Sequence, residues 1–129
     1  MNEYKPDYIA YRLTKAIEAL NDAKLLAENE SWNACVNRLY YACYYAVSAL
    51  LLKNDISTQT HNGVKTQFNL HFIKPVKLGK DFGRLYTDLM DLRHKGDYGD
   101  LFDFEKENVE PLIAPAENFI AAITNLLNH

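Results

Sequence analysis

The sequence predicts one all-α domain over residues 1–129, an up-and-down bundle of four to five helices joined by short loops. Apolar residues recur at helical spacing in several long segments, and no segment shows sustained alternation of apolar and polar residues. The breaks between these segments are short, and no internal repeat or low-complexity tract interrupts them. A length of 129 residues with 48% hydrophobic residues is enough for a single core.

The first helix is predicted from about Asp7 to Glu28, because Pro6 and Asp7 suit a helix start. It carries an apolar stripe at helical spacing, made of Ile9, Leu13, Ala16, Leu20, Ala23 and Ala27. The second helix is predicted from about Trp32 to Lys53, with Ser31 as its N-cap. Two adjacent faces of the second helix are apolar, which indicates a central helix buried on more than one side.

A third stripe of the second helix is polar and aromatic. Its members recur at three- and four-residue spacing and therefore lie together: Arg38, Tyr41, Tyr45 and Ser48. A buried guanidinium or phenol needs a hydrogen-bond partner. The stripe therefore predicts either a polar site or a wet interface along this helix.

The remaining helices are predicted at about Thr60 to Phe72, Asp81 to Lys95 and Glu105 to Leu127. A basic loop broken by proline and glycine separates the first two of these. In the last helix, Pro111 can sit in the first turn, and Pro115 is expected to kink the helix or delay its start.

The fourth helix is predicted to stop at Arg93-His94-Lys95-Gly96, since basic residues followed by glycine are typical of a helix end. Residues 97–100 are then predicted to form a turn.

Charge and cysteine content exclude several classes of protein. A formal net charge of −3 gives no overall attraction to nucleic acid, although the lysines between Ile56 and Lys80 indicate either a solvated face or a local basic surface. Cys35 and Cys43 lie about 12 Å apart along one helix, too far for a mutual disulfide, and are predicted as core residues of a cytosolic protein. No signal peptide and no membrane-spanning stretch is apparent, so the expected location is cytoplasmic.

Common catalytic and metal-binding signatures are missing from the sequence. There is no glycine-rich phosphate loop, no G-x-S-x-G motif and no H-E-x-x-H motif. The four histidines share no ligand spacing with one another or with the cysteines, so no metal and no cofactor is expected.

One group of polar residues remains: Arg38, Arg93, His94, Asp97 and Tyr98, with the tyrosines of the second helix. In a purely structural interpretation, the basic residues complement a helix dipole and Arg93 pairs with Asp97. In a functional interpretation, the second helix faces the end of the fourth across a cleft. There two guanidiniums clamp a phosphate, a tyrosine or histidine handles a proton, and tyrosines stack on bases. In a third interpretation, the tyrosine stripe is a dimer interface.

Three motifs carry a resemblance to a known family. Ala34-x-x-x-Arg38-x-Tyr40-Tyr41-Ala42-x-Tyr44-Tyr45-Ala46 resembles the second helix of HEPN-domain proteins (higher eukaryotes and prokaryotes nucleotide-binding), and is most similar to the small bacterial and archaeal branch known as UPF0332. Thr60-His61-Asn62-Gly63 and Phe68-Asn69-Leu70-His71-Phe72 resemble its third-helix region. Leu92-Arg93-His94-Lys95-Gly96-Asp97-Tyr98 resembles its LR-x-x-A-D-Y signature, with Gly96 where alanine is usual.

The resemblance implies a helical bundle that is often a homodimer with its cleft near the dimer interface. Many family members are metal-independent ribonucleases with an arginine followed four to six residues later by histidine, and many pair with a minimal nucleotidyltransferase as toxin and antitoxin. Arg93 matches that arginine, whereas Asp97, Tyr98 and Gly99 occupy the positions where the histidine is expected. His94 is adjacent to Arg93 and points about 100° away on a helix.

The sequence therefore predicts a HEPN-domain protein that binds a nucleotide or RNA within a two-component system. Its predicted partners are a second copy of itself and a minimal nucleotidyltransferase. The predicted binding residues are Arg38, Tyr41, Tyr45, Arg93 and His94, and the candidate catalytic residues are Arg93, Asp97 and Tyr98. The alternatives are a metal-independent endoribonuclease toxin and a purely structural dimerisation or scaffold module.

Overall fold

The fold is given by a computed structural model that describes residues 3–128. Within that range the chain forms five helices, which are α1 (Lys5–Glu28), α2 (Trp32–Lys53), α3 (His61–Phe68), α4 (Lys80–Tyr98) and α5 (Lys106–Leu127). A π-helical turn, Asn69–Ile73, extends α3, and no strand occurs among the described residues. The prediction of an all-α up-and-down bundle is confirmed.

Helix α2 is the centre of the bundle and packs against each of the other four helices. Its two predicted apolar faces are buried, including Leu39, Val47 and Leu50 and both cysteines, which are free thiols. Each large apolar side chain buried in this way stabilises the fold by about 1.5–3 kcal/mol. The third stripe of α2 is only half-buried, so its arginine and tyrosines reach the protein surface.

The start of α3 is fixed by a side-chain cap. Thr60 is extended, and its Oγ1 accepts a hydrogen bond from the Gly63 N–H at 2.9 Å. This cap places His61 in the first turn of α3, against α2.

Helix α4 extends three residues beyond its predicted end, so the predicted turn is wrong for Asp97 and Tyr98. Gly96 does not adopt the left-handed conformation that ends a helix. It makes room for a neighbour instead, because a Cβ on Gly96 would lie 2.7 Å from Cε2 of Phe104. The longer helix puts Arg93 and Asp97 one turn apart on the same face.

Helix α5 runs through both of its prolines, so the predicted delay of its start at Pro115 is wrong. Pro111 is the sixth residue of the helix and lies beyond the first turn. The helix start is held by a hydrogen bond from the Glu105 N–H to Asn108 Oδ1 at 2.9 Å. Burial of apolar residues such as Phe119 on the bundle-facing side offsets the backbone hydrogen bonds that prolines cannot donate.

Candidate functional site

Arg93 is a charged residue on the buried face of α4, where Tyr86 and Leu89 are its neighbours at helical spacing. Only 8% of Arg93 is exposed. Its guanidinium carbon lies 4.9 Å from the centroid of the Tyr40 ring and 5.7 Å from that of the Tyr41 ring. Its Nε has no hydrogen-bond partner among the described residues. A buried guanidinium with an unsatisfied donor is costly, and such groups concentrate at functional sites.

Polar contacts connect Arg93 on α4 with Arg38 on α2. Arg93 Nη1 lies 3.8 Å from Asp97 Oδ2, an ion pair too long to be a hydrogen bond. Asn37 Nδ2 donates to the same carboxylate oxygen at 3.0 Å. Asn37 Oδ1 in turn accepts from Arg38 Nε and Nη2 at 3.0 and 2.8 Å. Arg93 is paired with the Asp97 carboxylate, whereas none of the ion pairs among the described residues involves Arg38, which leaves a local excess of positive charge.

Both guanidiniums lie over the ring of Tyr41. The Arg38 guanidinium carbon is 5.1 Å from its centroid, and that of Arg93 is 5.7 Å away. Both distances are within the range of a cation–π interaction. We call Arg38, Tyr40, Tyr41 and Arg93 the arginine–tyrosine cluster. An anion bound by both guanidiniums would offset the local positive charge of the cluster.

His61 brings an imidazole to the edge of the arginine–tyrosine cluster. Its Nδ1 is 2.7 Å from the hydroxyl of Tyr40, and its ring centroid is 4.7 Å from that of Tyr44. Burial lowers the pKa of His61, and the charge of Arg93 lowers it further. Burial also raises the pKa of Tyr40 to about 12. At neutral pH the imidazole is therefore uncharged, while the phenol keeps its proton.

A cleft of about 470 Å³ opens between α1 and α2, at the other end of the polar stripe. We call it the α1–α2 cleft, and its lining residues are Tyr8, Tyr11, Arg12, Tyr44, Tyr45, Ser48 and Thr58. Arg12 Nη1 donates to the backbone oxygen of Ser48 at 3.1 Å, which fixes the guanidinium in the cleft. The ring centroids of Tyr41 and Tyr45 are 6.2 Å apart, so aromatic rings connect the cleft to the cluster.

The structure brings some of the predicted site residues together and separates others. Arg38, Tyr41, Arg93 and Asp97 meet in or beside the arginine–tyrosine cluster, while Tyr45 lines the α1–α2 cleft. His94 and Tyr98 are exposed, and their rings are in contact at a tilt of 53°, with centroids 4.9 Å apart. Their exposure follows from helix geometry, because the face of α4 that carries them is not the one that buries Arg93.

Sequence reasoning missed Asn37 and His61. Asn37 gave no signal of its own, since an asparagine beside an arginine on a helix is ordinary. His61 had a local signal in the Thr60 cap that opens α3, but only the packing of α3 on α2 brings its ring to Tyr40.

Metal sites and membrane spans are absent from the part of the chain that the structure describes. Residues 3–128 contain no group of three or more His, Cys, Asp or Glu side chains placed to hold a metal ion. Over the same residues, every helix is too short or too polar to cross a lipid bilayer.

Comparison with known proteins agrees with the bundle and its motifs. The HEPN domain pattern matches residues 9–126. A protein of Thermotoga maritima named "UPF0332 protein" is 46% identical over 127 residues, which cover 98% of this chain and 96% of that protein. A protein of Methanocaldococcus jannaschii named "Putative toxin MJ0605" is 36% identical over 112 residues, 87% of this chain and 83% of its own.

A solved structure shares the architecture. The crystal structure of TT1696 from Thermus thermophilus superposes with a TM-score of 0.76 and covers 97% of this chain and 98% of its own. Its sequence identity of 15% means that it supports the fold alone.

Proposed function

This chain belongs to the HEPN domain family, and from that premise we propose that it binds RNA or a nucleotide as one component of a toxin–antitoxin-like system. The observation that carries the proposal is the burial of Arg93 on tyrosine rings with a donor left unpaired. A guanidinium held in this way is already desolvated and oriented, so a phosphate oxygen gains a strong charge-assisted hydrogen bond on binding.

Most of the predicted residues have a role in the proposed site. Arg38 and Arg93 contact phosphate, because both guanidiniums lie over the Tyr41 ring and only that of Arg93 has a carboxylate partner among the described residues. Asp97 orients Arg93 from the next turn of α4, and Tyr41 offers a ring face on which a base can stack. Tyr98, in contact with the ring of His94 at the exposed end of α4, extends the surface that a longer ligand would follow.

The proposal includes two protein partners. One is a second copy of the chain and the other is a minimal nucleotidyltransferase, as expected for HEPN proteins of toxin–antitoxin type. Relatives in Methanocaldococcus jannaschii whose names describe them as candidate toxins support this setting. The molar mass in solution by light scattering tests the dimer, and co-purification with the product of a neighbouring nucleotidyltransferase gene tests the second partner.

The binding proposal is tested by titrating a fluorescently labelled single-stranded RNA with the wild-type protein and with Arg93→Ala and Arg38→Ala variants. We expect each variant to bind about tenfold or more weakly, and the dependence of log K on log salt to become shallower by about 0.7 per lost phosphate contact. Arg84→Ala is the matched control, since Arg84 is exposed and its ion pair is with Asp81 on the same helix. RNA affinity that is equal in all four proteins would exclude the arginine–tyrosine cluster as the binding site.

A second candidate function, a metal-independent endoribonuclease, is favoured by the position of His61. The family's arginine-and-histidine pair is incomplete along α4, yet His61 on α3 presents an uncharged imidazole to the same cluster. In the tautomer whose Nδ1–H donates to the Tyr40 hydroxyl oxygen, Nε2 carries no proton and would take one from a ribose 2′-hydroxyl.

The nuclease candidate is tested by incubating labelled RNA in EDTA with the wild-type protein and with Arg93→Ala and His61→Gln variants. Cleavage by the wild-type protein that disappears in both variants would support a nuclease using these two residues. RNA binding by the wild-type protein without cleavage would leave the binding function alone.

A further inference from the structure

The α1–α2 cleft has the composition of a binding site that neither the motifs nor the arginine–tyrosine cluster accounts for. Its volume of about 470 Å³ is in the range of small-molecule sites. Four of its lining residues are tyrosines, one is an arginine, and none is acidic. This combination of aromatic surface with a fixed positive charge is suited to a ligand that has both a flat ring and an anionic group.

Arg12 supplies the positive charge. Its Nη1 is engaged with the Ser48 backbone oxygen at 3.1 Å, which holds the guanidinium in place. None of the ion pairs among the described residues involves Arg12, so its charge has no carboxylate partner there. A guanidinium carries five N–H donors, and the remaining donors are available to a phosphate.

The tyrosines supply the aromatic surface. Tyr8 and Tyr11 on α1 are 51% and 61% exposed. Tyrosine side chains are on average more buried than this. Across the cleft, the rings of Tyr44 and Tyr45 are 5.7 Å apart and lie edge to face. A planar base inserted between these two pairs would cover apolar surface on both helices while each phenol hydroxyl stays at the polar edge.

We propose that the α1–α2 cleft is a second nucleotide subsite, which takes one base with its phosphate, either as a free mononucleotide or as one residue of an RNA strand. The inference rests on the proposed RNA or nucleotide binding and adds a position to it. The cleft lies about 15 Å along α2 from Arg38, since ten residues separate Arg38 from Ser48. A strand lying along the polar stripe would contact both sites.

The test measures binding of AMP, CMP, GMP and UMP by calorimetry and of a labelled ten-nucleotide RNA by anisotropy. The cleft variants are Tyr11→Ala and Arg12→Gln, and Arg93→Met reports on the other site. Arg84→Gln and Leu25→Ala are matched controls, because both residues are exposed and lie outside the cleft. Adenosine and ribose 5-phosphate separate the base contribution from the phosphate contribution.

We expect Tyr11→Ala and Arg12→Gln each to weaken binding about tenfold or more, with the control variants unchanged. Tyr11→Ala should reduce the affinity for adenosine, and Arg12→Gln that for ribose 5-phosphate. Loss of mononucleotide binding identifies a free nucleotide as the ligand. Loss of RNA binding alone identifies an RNA residue as the ligand.

The two proposals fail in different ways. RNA binding that depends on Arg93 and is unchanged in both cleft variants overturns the subsite and leaves the proposed function in place. RNA binding that depends on Tyr11 and Arg12 and is unchanged in Arg93→Met overturns the role of the arginine–tyrosine cluster. A change in molar mass by light scattering in the cleft variants, with binding unchanged, would identify this face as a protein interface and overturn the subsite.

Discussion

Replacing Arg93 by methionine separates a structural role of this residue from a functional one. Methionine is flexible, uncharged and about two atoms shorter than arginine, so it keeps the apolar stem of the side chain beside the Tyr40 and Tyr41 rings and removes the guanidinium. We expect the Arg93→Met variant to fold with nearly unchanged stability and to lose most of its affinity for RNA.

The stability estimate follows from the contacts of Arg93. Removal of the guanidinium gives up a cation–π contribution of about 2 kcal/mol. Removing one partner of a buried ion pair costs about 3–5 kcal/mol where the other charge stays buried and unpaired, and here the ion pair is long at 3.8 Å. Loss of the buried, unpaired Nε donor works in the stabilising direction. Asp97 keeps its hydrogen bond from Asn37, and its side chain is 27% exposed, so the remaining carboxylate is not stranded. The opposing contributions leave a net change within about 2 kcal/mol.

The expected change in the free energy of RNA binding is a loss with no opposing contribution. Hydrogen bonds to charged groups contribute about 1.5–3 kcal/mol, so losing one guanidinium contact weakens binding roughly 10- to 100-fold. Thermal unfolding followed by circular dichroism measures the first quantity, at about 4 °C per kcal/mol for a domain of this size. Anisotropy titration with labelled RNA measures the second.

Two results would refute this reasoning. A fall of more than about 12 °C in Tm would mean that the Arg93 charge is needed for folding, as in the purely structural interpretation of the cluster. Unchanged RNA affinity in a folded Arg93→Met protein would mean that the guanidinium does not contact the ligand.

Three further predictions concern stability and reactivity. The pKa of His61 is lower in the folded chain, so the unfolded chain binds a proton more readily. The contribution of His61 to the free energy of unfolding is therefore fully present above about pH 6.5 and is lost as the pH falls through the folded-state pKa. Chemical denaturation of the wild type and His61→Gln between pH 5 and 8 should show a weaker pH dependence of stability in the variant, and parallel curves would contradict the assignment. Gly96→Ala should destabilise by about 1–3 kcal/mol in urea denaturation, because its Cβ would lie 2.7 Å from the Phe104 ring; a second change, Phe104→Leu, should recover part of that loss, and a stabilised Gly96→Ala protein would show that the ring moves freely. Burial raises the pKa of the Cys35 thiol to about 11 and raises that of Cys43 still further, so neither should react with a thiol reagent until urea unfolds the chain, and fast labelling of the native protein would contradict this.

The sequence by itself was sufficient for the fold class, the central position of α2 and the family. Helical periodicity is a local property, and the wide apolarity of α2 can only be satisfied by burial on several sides. The helix boundaries predicted from Gly96 and Pro115 were wrong, because tertiary packing outweighed the local preference of these residues. Gly96 is required by the ring of Phe104, which belongs to a different segment of the fold, and no local pattern carries that information.

The tertiary structure decided which polar residues share a site. Arg38 and Arg93 were expected to face each other, and the contacts through Asn37 and Tyr41 place them together. The presence of His61 beside them depends on how α3 packs on α2, and the α1–α2 cleft depends on where α1 leaves the surface of Tyr45 open. Spacing along a helix fixes which side chains share a face. Which faces meet, and which polar atoms remain unpaired between them, is set by the packing of the whole bundle.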